Sequence, residues 1–141
     1  CDFAYAVPTA KFQLPFVNLA LVPEFASSLL LARHLGMRKA TELLMLAEIF
    51  DAETARDFGL INAVVPADEL EATVQSKAKI LAAKPPAALR ATKALLKADG
   101  NEIAARIGLE AKIFGERLQS GELREAITAF FEKRAPDFSK F

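Results

Sequence analysis

A chain of 141 residues is enough for one ordinary domain and short for two. Half-apolar composition (52%) with 26% charged residues is that of a globular chain rather than a disordered one. Acids and bases balance at 18 each, which supplies neither a basic excess for nucleic acid nor an acidic tail. A single cysteine, Cys1, excludes an internal disulfide and a cysteine metal site, and the single histidine, His34, argues against side-chain zinc or haem ligation.

The opening CDFAYAV has no initiating Met and no signal-peptide charge pattern; it begins as a buried strand entered mid-protein, so a fragment is expected. AKFQLP, closed by Pro15, predicts a second short strand, and FVNLALV a third extended piece. Phe12 to Ala32 is long enough to cross a bilayer. It holds Gln13, Pro15, Asn18, Pro23, Glu24, Ser27 and Ser28, so no span is expected.

From Ser27 the spacing becomes helical, through Leu29, Leu30, Leu31 and Leu35 to Gly36, with Ser27 or Ser28 as N-cap. Arg38 to Ala47 predicts a helix with Ala40, Leu43, Leu44 and Ala47 on one face. Asp51 is placed to cap a short helix over AETARDF that Gly59 closes. LINAVVP predicts a strand centred on Val64 and Val65. Asp68 can cap a long helix from Glu69 to Ala83, with Leu70, Val74, Ala78 and Leu81 along it. Pro86 suits the first turn of the next helix. Asp99-Gly100 reads as a turn, and Glu102 to Gln119 and Glu122 to Lys133 as two more helices broken at Ser120 or Gly121. Their Ile103, Ile107, Ile113, Phe114, Leu118, Ile127, Phe130 and Phe131 exceed what a few short strands could cover, which predicts oligomeric burial.

Glu24 is the one charged residue between Phe12 and Ala32. An acid just before a helix is favoured by the helix dipole. Flanked by Val22, Pro23, Phe25 and Ala26, it is also placed for a poorly solvated carboxylate, whose raised pKa suits proton transfer near neutral pH. An apolar lining with one polar group is the make-up of a pocket for an apolar substrate. No second acid lies in the run, and one base moving one proton away and back suits isomerisation better than addition of water. His34 reads as a helix-end residue, Ser27 and Ser28 as caps rather than nucleophiles, and RHLGMRK as a solvated turn. FFEKRAPDFSKF combines aromatics with Lys133, Arg134 and Lys140, which fits either an anionic nucleotide or an ordinary amphipathic C-terminus.

CDFAYAVPTAKFQLPFVNLALVPEFASSLLLARHLG resembles the central signature of the crotonase superfamily, the enoyl-CoA hydratase/isomerase family. AEIFDAETARDFGLINAVVPADEL, AAKPPAALRATKALL and FFEKRAPDF resemble the segments that follow it, in order and along the whole chain. The resemblance implies an α/β, helix-rich fold: the end of a crotonase-type spiral of short strands and helices (1–66), then a helical region for trimerisation (67–141). Hydratases of this family carry a glutamate after the proline of the LPF segment, where this chain has Phe16, and a glycine-rich run where it has PEFASS. A glutamate at that place is similar to the peroxisomal-type Δ3,Δ2-enoyl-CoA isomerases and their bacterial relatives, which implies that Glu24 is the catalytic base. Phe16 and Phe25 would then wall the acyl pocket, and Phe130 and Lys133, three residues apart, would lie near the adenine of CoA. No separate cofactor is implied, coenzyme A being part of the substrate. The expected partners are an acyl-CoA and further copies of the chain, as a homotrimer or dimer of trimers, with no metal, nucleic acid or membrane. The family's CoA-binding loops and both oxyanion N–H donors lie upstream of the segment matched here, so little activity is expected of this chain alone. Hydration or another acyl-CoA reaction, and a non-catalytic helical assembly module, are the alternatives. The ending Ser-Lys-Phe is not the peroxisomal Ser-Lys-Leu, and a bacterial cytoplasm is the default.

Overall fold

The computed structural model describes residues 1–98 and 100–141. The turn expected at Asp99-Gly100 falls partly outside them: Asp99 is not described, and Gly100 opens a helix. Contact divides the chain into two compact units interleaved in sequence, Cys1–Phe12 with Phe50–Gly100 and Gln13–Ile49 with Asn101–Phe141. That grouping differs from the division at residue 66, which is a division by role.

The first unit is built on two short strand pairs. β1 (Tyr5–Ala6) lies parallel to β4 (Ala63–Val64), with Tyr5 opposite Ala63 and Ala6 opposite Val64. Asn62 extends the pairing, its N–H donating to the Ala4 carbonyl at 2.7 Å and its Oδ1 accepting from the Ala4 N–H at 2.8 Å. β2 (Lys11–Phe12) runs antiparallel to β3 (Phe50–Asp51), and the Phe12 and Phe50 rings stack across it at 5.7 Å. β3 has no counterpart among the predicted elements. α3 (Ala52–Asp57) starts as expected, with the Asp51 carboxylate accepting from the Thr54 N–H at 2.9 Å. Ala52 and Ala55 are fully buried, and with Ala6 and Ile61 they form the core. Gly59 follows in the left-handed region at φ +68°.

α4 (Leu70–Ala82) and α5 (Pro86–Leu96) complete this unit, with Pro86 in the first turn as expected. Asp68 does not cap α4. The chain turns at Pro66, whose carbonyl accepts from the Glu69 N–H at 3.0 Å, and Glu69 occupies the cap position without a side-chain bond. The predicted stripe of α4 is incompletely covered: Leu70 and Leu81 are half-buried, Val74 and Ala78 exposed. Neither α4 nor α5 buries a residue.

In the second unit, FVNLALV is not extended. Val17–Leu19 forms a 3₁₀ turn, because the Phe16 carbonyl accepts from both the Leu19 N–H (3.1 Å) and the Leu21 N–H (2.9 Å). α1 (Ser27–Leu35) stops at Gly36, φ +79°, and packs against α2 (Met37–Leu46). The predicted α2 face is the buried one: Ala40, Leu43, Leu44 and Ala47 are all inside. Each buried leucine contributes roughly 1.5–3 kcal/mol. The Ala47 carbonyl also accepts from Gln13 Nε2 at 2.8 Å. α6 (Gly100–Arg117) and α7 (Gly121–Glu132) follow, α7 capped by Ser120 Oγ, which accepts from the Leu123 N–H at 3.1 Å. α7 buries Leu123, Ala126 and Ala129 and packs on the 3₁₀ turn. Of the eight apolar residues singled out on these helices, Ile107, Ile113, Leu118, Ile127, Phe130 and Phe131 stay exposed, while Ile103 and Phe114 turn inward and are half-buried. Among the described residues, no helix is long and apolar enough to cross a membrane.

Candidate active site

Glu24 sits in the turn that leads into α1, and the turn is unusual. Phe25 (φ +61°) and Ala26 (φ +59°) are consecutive non-glycine residues with positive φ. Such residues cost about 1–3 kcal/mol each and persist where surrounding structure over-determines them. The Glu24 carbonyl supplies part of the restraint, accepting from the Ser27 N–H at 3.1 Å and from Ser27 Oγ at 2.6 Å.

The larger part comes from α6. Glu110 is only 5% exposed. Its Oε2 accepts from the Ala26 N–H at 2.6 Å, and its Oε1 from the Ser28 N–H at 3.1 Å and Ser28 Oγ at 2.5 Å. Arg106 donates to Ser28 Oγ at 3.3 Å. Neither Ser27 nor Ser28 therefore caps α1. Ala26 holds the cap position, and a carboxylate from another helix satisfies the orphan N–H groups, where the helix dipole also favours negative charge. Nearer the C-terminus of α6, Arg117 Nε donates to the Ala20 carbonyl at 3.0 Å, and Arg117 pairs with Glu122. Ala20 is itself left-handed, at φ +56°. The 21–25 run is thus held at both ends by one helix.

The five residues singled out in the sequence all fall in the second unit. Phe16 opens the 3₁₀ turn and is half-buried. Glu24 is exposed and Phe25 is 82% exposed. The desolvated surroundings expected for Glu24 are not closed over it by this chain, because the turn projects Phe25 outward instead of folding it across the carboxylate. Phe130 lies near the end of α7, 75% exposed and edge-on to Phe131 at 5.8 Å. Lys133 ends α7 in the left-handed region, its N–H donating to the Phe130 carbonyl at 3.2 Å. His34 lies in the last turn of α1, as predicted. Among the described residues no group of three His, Cys, Asp or Glu is placed to hold a metal.

The model of the family described as Enoyl-CoA hydratase/isomerase matches residues 1–140. The chain belongs to the enoyl-CoA hydratase/isomerase family. A relative from Rhodobacter capsulatus named "Probable enoyl-CoA hydratase" is 36% identical over 98% of this chain and 54% of its own length. A Bacillus subtilis protein of the same name is 39% identical over the same shares. The crystal structure of an enoyl-CoA hydratase/isomerase from Pseudoalteromonas atlantica superposes with a TM-score of 0.94 at 39% identity, covering 99% of this chain and 56% of that one. The helix-rich α/β arrangement is therefore that of the C-terminal part of an enoyl-CoA hydratase/isomerase fold. The chain spans about half the length of the curated relatives it matches.

Glu110 and Arg106 are the residues that sequence reasoning missed in this family member. A signal was present. Ile103, Arg106, Glu110, Phe114 and Arg117 recur at helical spacing and form the inward stripe of α6, all half-buried or buried. Three of the five are charged, on the face where an amphipathic helix ordinarily buries apolar side chains. A charge there asks for a partner.

Proposed function

We propose that this chain is the C-terminal half of an enoyl-CoA isomerase in which Glu24 is the only side-chain base. Glu24 removes a proton from C2 of a 3-enoyl-CoA, the electron pair moves into the thioester as a dienolate, and the same proton returns at C4 to leave the 2-enoyl-CoA. The proton count balances with one carboxylate and no water. The observation that carries this reading is a solitary carboxylate, exposed in a turn held at both ends, with Phe16 at the place where family hydratases carry a second glutamate. The other acid at this turn, Glu110, is taken up by three hydrogen bonds and is not available as a second shuttle. Backbone N–H donors for the dienolate oxygen would come from outside these 141 residues. Electrostatic stabilisation by such donors often lowers the barrier more than any other single effect. Phe16 and Phe25 would face the acyl chain. Phe130 and Lys133 would receive the adenine end of CoA, where an exposed aromatic and a cation suit a phosphorylated nucleotide. The exposed apolar residues of α6 and α7 support packing against further copies, as a trimer or dimer of trimers in a bacterial cytoplasm.

Hydration of a 2-enoyl-CoA is the second reading, favoured by the names of the curated relatives. Turnover of 3-enoyl-CoA and 2-enoyl-CoA by the complete protein and its Glu24→Gln variant separates the two. The isomerase reading expects the parent to prefer 3-enoyl-CoA, and the variant to lose about 10²–10⁴ in kcat, the usual worth of a general base. Near-normal isomerisation by the variant would rule Glu24 out as the base. A parent that hydrates and does not isomerise would establish the second reading.

A further inference from the structure

Glu110 is the buried titratable group that the proposed chemistry does not use, and its bonds say what it does. Among the described residues it makes no ion pair. Its two oxygens are aimed at the backbone of the turn that carries Glu24, accepting the N–H groups of Ala26 and Ser28 and the hydroxyl of Ser28. The backbone N–H it holds most closely, that of Ala26 at 2.6 Å, belongs to a residue with the positive φ that an alanine adopts only under restraint. The φ and ψ of Phe25 and Ala26 set where the preceding Glu24 side chain leaves the main chain. Arg117, bonded to the Ala20 carbonyl, anchors the other end of the same run from the same helix.

We propose that Glu110 is a positioning residue: it holds the Phe25–Ala26 turn in its left-handed conformation and thereby aims the Glu24 carboxylate at the carbon to be deprotonated. This rests on Glu24 being the base. Loss of the grip lets the turn relax toward ordinary backbone angles and swings Glu24 without removing it. Such a loss acts on the chemical step more than on acyl-CoA binding, since displacement by an ångström from a productive geometry is enough to cost up to about 10²-fold.

The test uses the complete protein. Glu110→Gln keeps the size of the side chain and turns one acceptor into a donor facing N–H groups. Expected are a fall in kcat of at least about tenfold with KM for acyl-CoA changed less than about twofold, and faster hydrogen exchange at the Ala26 and Ser28 amides. Adding Ala26→Gly, which removes the conformational cost of positive φ, is expected to restore about a third or more of the lost kcat. A kcat within about twofold of the parent, in protein where Glu24→Gln is inactive, would overturn the positioning role and leave Glu24 as the base. A parallel decline of kcat, KM and melting temperature that Ala26→Gly does not repair would overturn it as well, showing Glu110 to be structural only. If Glu24→Gln remains active the choice of base has failed, and amide exchange at Ala26 then reads the grip of Glu110 independently.

Discussion

Both units bury an apolar core, but they fix their connecting segments by different means. In the first, a helix of small residues is pressed onto short strands: Ala52 and Ala55 are fully buried, and Ala6 and Ile61 close the core around them. Outside that core, Asp2 pairs with Lys93 and Lys97 in the open. In the second, a helix with charges on its inward stripe reaches into a loop, and Glu110 and Arg117 bond to main chain at Ala26, Ser28 and Ala20. An apolar core fixes position by close packing, without naming the backbone groups it acts on. Bonds to named N–H and C=O groups fix a backbone conformation, which a loop proposed to carry a proton-transfer residue needs and a scaffold does not.

The largest break expected in this contrast is Glu110→Leu. It leaves the Ala26 and Ser28 N–H groups without their acceptors, at a cost of about 3 kcal/mol. Urea unfolding is expected to show the loss, and amide exchange to place it in α1 and the turn before it, with β1 and β4 unchanged. Ala55→Leu attacks the first unit by its own logic. Extra methylenes at a site with no free surface cost about 2 kcal/mol through overpacking, with exchange rising around α3 rather than α1. Each unit also has an α-helix with a side-chain N-cap, so Asp51→Ala and Ser120→Ala are expected to cost about 1 kcal/mol apiece. A much larger effect from either would show that the cap sustains more than its own helix.

The smallest effects are electrostatic. Hydrogen bonds from Lys93 and then Lys97 bring the Asp2 carboxyl from 3.8 down to about 2. Arg134, and then the Asp137 N–H, bring Glu125 from 4.5 down to about 2. Both folded values are depressed, so each contribution is complete above the ordinary value and is lost as pH falls toward 2. Acid titration is expected to loosen the C-terminal tail from about pH 4.5 and the Asp2 contact from about pH 3.8, by amounts that salt reduces because the pairs are exposed. Tail amide protection, taken relative to the intrinsic exchange rate at each pH, that stays constant from about pH 5 to about pH 2 would remove Glu125 as its anchor.

Elements set by neighbours in sequence were legible beforehand. The α2 face, the Asp51 cap and the helix ends at Gly36 and Gly59 each depend on residues within one or two turns. Elements set from a distance were not. Ser27 and Ser28 read as caps because nothing nearby announces that the acceptor arrives from 82 and 84 residues further on. Val17–Leu19 read as extended because its apolar content outweighed the single carbonyl, at Phe16, that curls it. The site shows the same division. Glu24 could be found by its solitude, but whether it would be covered depended on where Phe25 points, and that follows from a backbone angle imposed by α6.

Three alanines, Ala20, Ala26 and Ala47, occupy left-handed corners where glycine would sit at ease. A methyl group at each corner narrows what the unfolded chain can explore, so less freedom is surrendered on folding than glycine would require. The corners are consequently stiff as well as strained. A loop bent at strained corners keeps its shape only while it is held, so the run between Ala20 and Ala26 stays bent by virtue of the two side chains that clamp its ends.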